Sequence, residues 1–299
     1  MEFTKSNVAG LVVLFEPDQQ VLEKINRYLF QVDFLFVVDN TESLKKDFVK
    51  HALIGQQNIK YIANGKNLGI ANALNVGANL ALEAGYQWLL TMDQDSCVPA
   101  QMVGNLLDAI NNYPNLDQIG IMSPAHMLID GQIDTSIRDL LKKNKEIVVE
   151  AVTVMTSGNL LNLKVYSTVG PFIDKLFIDY VDVEYCLRLN KKGYKVLVAS
   201  NIILEHSLGN ISVHKYKVYP KHQFTLLNHN YIRKYYITRN RLFVQNLYKK
   251  DFPSFCQHDF KCQIKEIIKT SMLENNRFKK IKYFSLGVYH YSLNRYGKL

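Results

Sequence analysis

Short apolar runs separated by polar segments dominate the first 95 residues of the chain. The runs are rich in aliphatic and aromatic side chains, and polar or turn-forming residues bound each of them, which is typical of buried strands. The predicted strands cover residues 8–15, 34–38, 59–62 and 86–92.

Apolar positions at helical spacing fill the segments between these strands. The first helix follows Asp18, which is a suitable N-cap, and the second covers residues 70–82 and ends at Gly85. Strands that alternate with helices predict βαβ units, and therefore a mostly parallel sheet with right-handed crossovers.

The pattern is less regular after residue 95. It predicts helices at 99–113 and from Val181 to Gly193, and a loop or small hairpin at 125–145. Further strands are predicted at residues 119–122, 147–156, 195–199 and 201–204. Helical spacing dominates residues 226–250 and continues from residue 258.

Charge is distributed unevenly along the 299 residues. Residues 207–299 hold 18 Lys and Arg against 4 Asp and Glu, whereas the first 206 residues hold 18 basic and 23 acidic side chains. A basic segment can face nucleic acid, an anionic membrane or a phosphorylated substrate, and it can also be a solvated surface.

Composition and cysteine usage predict a cytoplasmic protein. No apolar run reaches the roughly 18 residues of a spanning helix, and residues 9–15 lack the basic leader of a signal peptide. The four cysteines show no paired framework. Cys256, His258 and Cys262 lack a fourth ligand and the usual metal spacing, so they are interpreted as ordinary side chains.

Carboxylates or a histidine follow several of the predicted strands. Asp39 follows the second strand, Asp93 and Asp95 follow the fourth, and His206 follows the last. Ligands of open α/β sheets bind beyond the carboxyl ends of the strands. Asp93 and Asp95 could therefore hold a divalent cation or a ribose, although each residue alone is also compatible with a turn or cap.

The order of these motifs resembles the family 2 glycosyltransferases of the GT-A fold, and among them the bacterial rhamnosyltransferase-like branch. The matching segments are residues 37–41, 67–71, 90–96, 156–159, 177–188, 206–209 and 235–241. The resemblance implies a Rossmann-like α/β catalytic domain at residues 1–225. Residues 226–299 would then be a basic, aromatic helical extension.

The resemblance also implies a nucleotide pocket. Asp39 would contact the base of a nucleoside diphosphate sugar, and Pro17 would line that pocket. Asn67 and the helix that follows it would frame the nucleotide, because a helix N-terminus favours phosphate charge. Arg239 or Arg241 would neutralise the departing diphosphate.

A divalent metal belongs to the same implied site. Asp93 would reach the ribose or sugar, and Asp95 would ligate Mg²⁺ or Mn²⁺ that bridges the diphosphate. Oxygen-rich sites suit these hard cations, and substrate phosphates complete their coordination. His206 is a possible further ligand.

The resemblance implies direct displacement with inversion, for which an acceptor hydroxyl needs a general base. Asp182 is the candidate. Many members of the family carry adjacent Glu and Asp residues, whereas this chain has Val181 before Asp182. Asp179 and Glu184 therefore remain rival candidates for the base.

The predicted activity is sugar transfer from a nucleoside diphosphate donor during surface polysaccharide synthesis. L-Rhamnose from dTDP-rhamnose is the first choice, with UDP-hexose and UDP-galactofuranose as open alternatives. The acceptor would be a saccharide on a polyprenyl diphosphate lipid, which implies peripheral contact with the inner membrane face. No nucleic-acid partner is predicted. The oligomeric state is not predicted.

Two other classes of protein fit the sequence less well. A dinucleotide-dependent oxidoreductase needs a Gly-x-Gly-x-x-Gly turn after the first strand, and residues 10–17 contain none. A catalytically silent scaffold or binding protein in a membrane complex remains the alternative, although the intact pair of Asp93 and Asp95 argues against it.

Overall fold

The computed structural model describes residues 2–42, 48–128, 147–206 and 229–299, and the backbone at 211–212 and 226–227. The chain forms two compact units, Met1–Ser207 together with Lys298, and Leu208–Gly297 together with Leu299. The predicted loop or hairpin at 125–145 is wrong at residues 125–128, which form the end of a strand, and its remaining residues lie outside the described part of the chain. The domain boundary predicted after residue 225 stays a prediction, since residues 213–225 also lie outside them.

An eight-stranded sheet forms the centre of the first unit, in the order β3-β2-β1-β4-β7-β5-β8-β6. The strands are β1 (Val8–Leu14), β2 (Phe34–Asp39), β3 (Ile59–Ala63), β4 (Trp88–Asp93), β5 (Ile119–Leu128), β6 (Val148–Glu150), β7 (Asn159–Asn162) and β8 (Lys195–His206). β1 to β4 pair in parallel, as do β5 and β8. The predicted α/β class with a mostly parallel sheet is therefore confirmed.

Helices cover this sheet and bury its apolar side chains. They are α1 (Val21–Leu29), α2 (Phe48–Leu53), α3 (Ile70–Glu83), α4 (Met102–Asn111), α5 (Leu163–Val169) and α6 (Val181–Lys191). α3 lies very close to β1 at Gly77, where a Cβ atom would stand only 2.5 Å from Cδ2 of Leu11. The buried residues of α3 recur at helical spacing, as its sequence pattern predicts.

The sequence-based prediction is also wrong in three places after residue 146. The strand predicted at 147–156 is reduced to β6, and β7 and α5, which follow it, were not predicted. The strands predicted at 195–199 and 201–204 are one strand, β8, whose register against β5 shifts between Ala199 and Ile203. This register shift accommodates the polar residues between the two predicted strands, so the strand continues through them.

Three long helices form most of the second unit: α7 (Tyr231–Tyr248), α8 (Pro253–Leu273) and α9 (Arg277–Ser292). β9 (Ile211–Ser212) and β10 (Leu226–Leu227) pair antiparallel in the same unit. The predicted C-terminal helices are confirmed. Within the described part of the chain, no helix combines the length and the apolar character that crossing a bilayer requires.

Candidate active site

The carboxyl ends of β2 and β4 lie at one edge of the sheet, on either side of β1. Leu14 pairs with Asp39 and Val13 pairs with Asp93, so the two carboxylates leave the sheet at neighbouring levels. The side chain of Gln94 accepts a hydrogen bond from the backbone N–H of Phe15 at 2.9 Å and donates to its carbonyl at 3.1 Å. The segments that follow β1 and β4 are therefore tied together.

Asp39 is held at the end of β2 by its own neighbours. Its side chain is buried, and Oδ1 accepts a hydrogen bond from the N–H of Thr41 at 2.7 Å. Oδ2 accepts from the hydroxyl of Tyr61. The hydroxyl of Thr41 in turn accepts from the N–H of Glu16, near the buried Pro17. Asp39 thus closes a turn and still retains lone pairs for a ligand.

Asn40 links the ends of β2 and β3 to the start of α3. It is almost fully buried, donates to the carbonyl of Gly69 at 3.0 Å and accepts from Asn64 at 2.8 Å. Asn67 folds its side chain back to accept from the N–H of Gly69 at 3.0 Å. The sequence pattern predicts no role for Asn40 or Asn64, because their contacts depend on how the strands are ordered.

The N-terminus of α3 packs against the segment that precedes α6. Ile70 donates its N–H to the carbonyl of Phe177 at 2.7 Å. Gly69 has φ +88°, and a Cβ atom there would lie 2.5 Å from the same carbonyl. Only glycine therefore fits this contact. The contribution of Asn67 and α3 to nucleotide binding stays a prediction.

A buried hydroxyl network holds the turn that carries Asp93 and Asp95. Asp93 donates its N–H to Oγ of Ser157 at 3.1 Å, and Oγ of Ser96 lies 2.7 Å from the same oxygen. Both serine side chains are completely buried. The carbonyl of Ser157 contacts Nε2 of the buried His126 at 2.7 Å. Asp93 and Asp95 themselves are half-buried at the edge of the sheet.

The end of β8 runs beside this turn. Cys97 donates its N–H to the carbonyl of Glu205 at 3.4 Å, and the two residues form an antiparallel bridge. The backbone of His206 therefore lies close to the chain just beyond Asp95, although the side chain of His206 is outside the described part. Its role as a metal ligand stays a prediction.

The donor set at this edge is rich in oxygen. Among the described residues, no three His, Cys, Asp or Glu side chains gather closely enough to hold a metal ion. Asp93 and Asp95 supply two carboxylates at i and i+2. Two carboxylates fit Mg²⁺ or Mn²⁺ when a substrate diphosphate provides further oxygens.

Asp182 lies in the first turn of α6 and lines a small cavity together with Thr91 of β4. Thr91 is two residues before Asp93, so this cavity connects α6 to the strand that carries the metal candidates. The side chains of Asn159 and Tyr185 line the same cavity, and neither Oδ1 of Asn159 nor the hydroxyl of Tyr185 has a partner within the described residues. Buried polar atoms of this kind are available to water or a ligand.

The two rival bases lie in different surroundings from Asp182. Glu184 is fully buried and forms a 2.8 Å ion pair with Arg188, whose guanidinium also donates to the carbonyl of Pro171 at 2.8 Å. This pair fixes the helix to the preceding loop. Asp179 lies between Phe177 and Tyr180, and all three residues have positive φ. Asp182 shares the cavity with Thr91 of β4, and the choice of the base among the three carboxylates stays a prediction.

Arg239 and Arg241 both lie on α7 in the C-terminal unit. Arg239 is 1% exposed, stacks against the rings of Tyr235, Tyr236 and Tyr296, and donates to the carbonyl of Gly297 at 2.8 Å. Its guanidinium packs inside the unit. A role in diphosphate binding stays a prediction.

Arg241 forms ion pairs with two acidic residues of α8, at 3.2 Å to Asp259 and at 3.5 Å to Glu266. On the same helix, Sγ of Cys262 lies 3.5 Å from Nε2 of His258, and Cys256 is a buried thiol. Arg241 thus ties α7 to α8, and its role in diphosphate binding also stays a prediction.

Comparison with known sequences agrees with the motifs. The sequence model described as Glycosyl transferase family 2 matches residues 20–123, which run from α1 into β5. The dTDP-rhamnosyl transferase RfbF of Shigella flexneri is 28% identical over 245 residues, which are 79% of this chain and 78% of that protein. The resemblance to this family and to its rhamnosyltransferase-like branch is confirmed.

Two solved structures share the fold. The crystal structure of GalNAc-T7 with UDP, GalNAc and Mn²⁺ matches 97% of this chain and 55% of that chain, at a TM-score of 0.59 and 13% identity. This chain therefore spans about half of the length of the GalNAc-T7 chain. The crystal structure of S. aureus TarS 1-349 matches 97% of this chain and 73% of that chain, at a TM-score of 0.54 and 11% identity. These likenesses confirm the GT-A fold.

Proposed function

We propose that this chain, a rhamnosyltransferase-like glycosyltransferase of family 2, transfers L-rhamnose from dTDP-rhamnose to a saccharide acceptor with inversion at the anomeric carbon. The donor choice is supported by the similarity to a protein named dTDP-rhamnosyl transferase. UDP-hexose and UDP-galactofuranose are the donors to test beside it. The acceptor is a saccharide on a polyprenyl diphosphate lipid, used in surface polysaccharide synthesis.

The observation that carries this proposal is the cavity shared by Asp182 and Thr91. It connects a carboxylate on α6 with the strand that ends in Asp93 and Asp95. The proposal puts an acceptor hydroxyl beside Asp182 and a diphosphate beside Asp95, on opposite sides of one sugar. This is the arrangement that direct displacement requires.

The donor is bound at the edge formed by β1, β2 and β4. Asp39, already fixed by Thr41 and Tyr61, accepts from the base, and the buried Pro17 lines the same pocket. Asn67 frames the nucleotide at the start of α3. Arg239 or Arg241 would neutralise negative charge on the departing diphosphate.

Asp93 and Asp95, with His206 as a further ligand, would hold Mg²⁺ or Mn²⁺ there. When bound, the cation offsets negative charge on the diphosphate. The buried hydroxyls of Ser96 and Ser157 fix the backbone of this turn, which restricts the positions that the two carboxylates can take before the donor arrives.

Asp182 then acts on the acceptor. It takes the proton of the attacking hydroxyl while the acceptor oxygen forms a bond to the anomeric carbon. The bond from that carbon to the diphosphate oxygen breaks, and its electron pair leaves with the diphosphate. One displacement inverts the configuration at the anomeric carbon, and no covalent enzyme intermediate forms.

The test compares two carboxylates of α6. Asp182→Asn should reduce transfer by about 10²-fold to 10⁴-fold and leave the Kd of dTDP-rhamnose unchanged, since the base acts only on the acceptor. Glu184→Gln should instead lower the free energy of unfolding by about 3 kcal/mol, because it breaks the buried pair with Arg188. Loss of donor binding in Asp182→Asn would refute its role as base.

A panel of nucleotide sugars identifies the donor. Thermal stabilisation with Mn²⁺ present should be largest for dTDP-rhamnose, because a ligand that binds only the folded state raises its apparent stability. A larger thermal stabilisation by a UDP-sugar would show that this sugar nucleotide, and not dTDP-rhamnose, is the donor. Binding without transfer to any saccharide acceptor would indicate a silent scaffold.

A further inference from the structure

Helix α8 carries polar residues on the side that packs within the C-terminal unit. Gln263 and Thr270 are buried, at 5% and 0% exposure. The side chains of Asp259 and Glu266 are 13% and 22% exposed, and both are engaged in ion pairs with cations of α7. These four residues follow one another at helical spacing, so the inner side of α8 is polar.

The opposite side of α8 is apolar and exposed. Its large apolar residues lie four positions apart and form what we call the α8 stripe, with exposures of 50%, 43%, 53% and 69%: Phe260, Ile264, Ile268 and Met272. A helix of a water-soluble unit normally turns such residues inward. In α8 the apolar side faces solvent and the polar side packs within the unit.

Cations accompany the α8 stripe. Lys261 and Lys265 each follow a residue of the stripe and are exposed. The sequence of α8 contains two acidic residues, and both of them lie on the inner side. The outward side of this helix therefore combines apolar surface with positive charge.

The next helix has a similar character. α9 contains no acidic residue in its sequence, and its exposed apolar side chains include Phe278 at 79%, Val288 at 49% and Tyr289 at 56%. Exposed apolar surface of this extent usually marks an interaction site. The positive charge beside these apolar side chains indicates an anionic partner.

We propose that the α8 stripe, with Lys261 and Lys265, docks on an anionic phospholipid bilayer. Apolar side chains of an interfacial helix enter the boundary between headgroups and acyl chains, and flanking lysines meet the lipid phosphates. A second copy of this chain would cover the stripe but would also bring like charges together. Placement of the acceptor on a lipid rests on the proposed function, whereas the bilayer-binding surface rests on α8 alone.

Vesicle sedimentation of the full chain tests this surface. The wild-type protein should bind vesicles of equal parts phosphatidylcholine and phosphatidylglycerol, and not vesicles of phosphatidylcholine alone. The triple variant Phe260→Ser, Ile264→Ser, Ile268→Ser should bind about 100-fold more weakly, because it removes the apolar side chains that enter the bilayer. Lys261→Gln with Lys265→Gln should weaken binding about 30-fold and reduce its salt dependence.

Phe30 and Ile54 provide the matched control, since they are 75% and 59% exposed in the other unit. Phe30→Ser with Ile54→Ser should bind vesicles as the wild type does. Circular dichroism should show unchanged helix content in every variant, because the substituted side chains are exposed. Equal binding of the triple variant and the wild type would overturn the proposal.

Two further measurements separate the remaining outcomes. A wild-type dimer that the triple variant converts to monomers would show that a second copy covers the stripe, and would overturn bilayer docking. Transfer to a water-soluble acceptor should be unchanged in the triple variant. If the wild type transfers no sugar but binds anionic vesicles through α8, the proposed function fails and the bilayer-binding surface stands.

Discussion

The hydroxyl oxygens of Ser96 and Ser157 lie 2.7 Å apart, although 61 positions separate the two residues along the chain. Both side chains are completely buried, and the same Ser157 oxygen accepts the N–H of Asp93. A turn that bears two carboxylates is thus fixed by a serine from a distant loop.

Ser157→Ala should lower the free energy of unfolding by about 1 to 3 kcal/mol, because it removes a buried oxygen that two polar groups contact. Metal-dependent donor binding should weaken as well, since the turn that bears Asp93 and Asp95 loses its support. Urea denaturation and donor titration measure the two effects. The exposed Ser167 donates to the carbonyl of Lys164, and Ser167→Ala should change stability by less than about 0.5 kcal/mol.

Asp95→Ala should abolish metal-dependent turnover, with a loss of at least about 100-fold, while the protein still folds. Asp95 is half-buried at the edge of the sheet, so its removal leaves the core intact. Transfer rates measured against Mn²⁺ concentration give the result. The exposed Asp108 on α4 is the control. If the transfer rates of Asp95→Ala and Asp108→Ala depend on Mn²⁺ concentration in the same way, Asp95 does not bind the metal.

Gly77→Ala should destabilise the first unit by about 1 to 3 kcal/mol, because the new methyl group overlaps the buried side chain of Leu11. Gly104 on α4 is the matched helical glycine, since nothing lies within 4 Å of a Cβ atom there. Gly104→Ala should stabilise the protein by up to about 1 kcal/mol through helix propensity. Chemical denaturation of both variants compares them, and equal stabilities would contradict the close approach of α3 and β1.

Acid should destabilise the C-terminal unit through Glu274. Burial opposes ionisation of this carboxyl, but Lys280 at 2.6 Å and Lys234 outweigh it and hold its pKa below the usual value. A group with a lowered folded-state pKa stabilises the protein above its unfolded pKa of about 4.3. That contribution is lost as the pH falls through the folded-state pKa.

Glu274→Gln should therefore lower the free energy of unfolding by about 3 kcal/mol at neutral pH, and the difference from the wild type should shrink below about pH 4. Circular dichroism at several pH values measures it. Glu150, which is 58% exposed in its pair with Lys195, serves as the comparison. Glu150→Gln should change stability by less than about 1 kcal/mol, and an equal loss in both variants would show that burial of the pair is unimportant.

Sequence alone predicted the half of the sheet made of β1 to β4, because each strand is a buried run closed by turn-forming or acidic residues. It also predicted that Asp39 and Asp93 share an edge, since parallel strands place their carboxyl ends together. It did not predict β7, which has four residues and no periodicity to detect. The roles of Ser157 and His126 were missed for the same reason, since their contacts exist only once β7 has been placed.

The position of β7 in the sheet has a consequence for synthesis of the chain. β7 lies between β4 and β5, and β8 pairs with the other side of β5. A nascent polypeptide that ends before residue 159 therefore has one unpaired flank on β4 and two on β5. Unpaired strand flanks recruit other chains. The segment that the family model matches, residues 20–123, lacks both β1 and β7, and by itself it should aggregate.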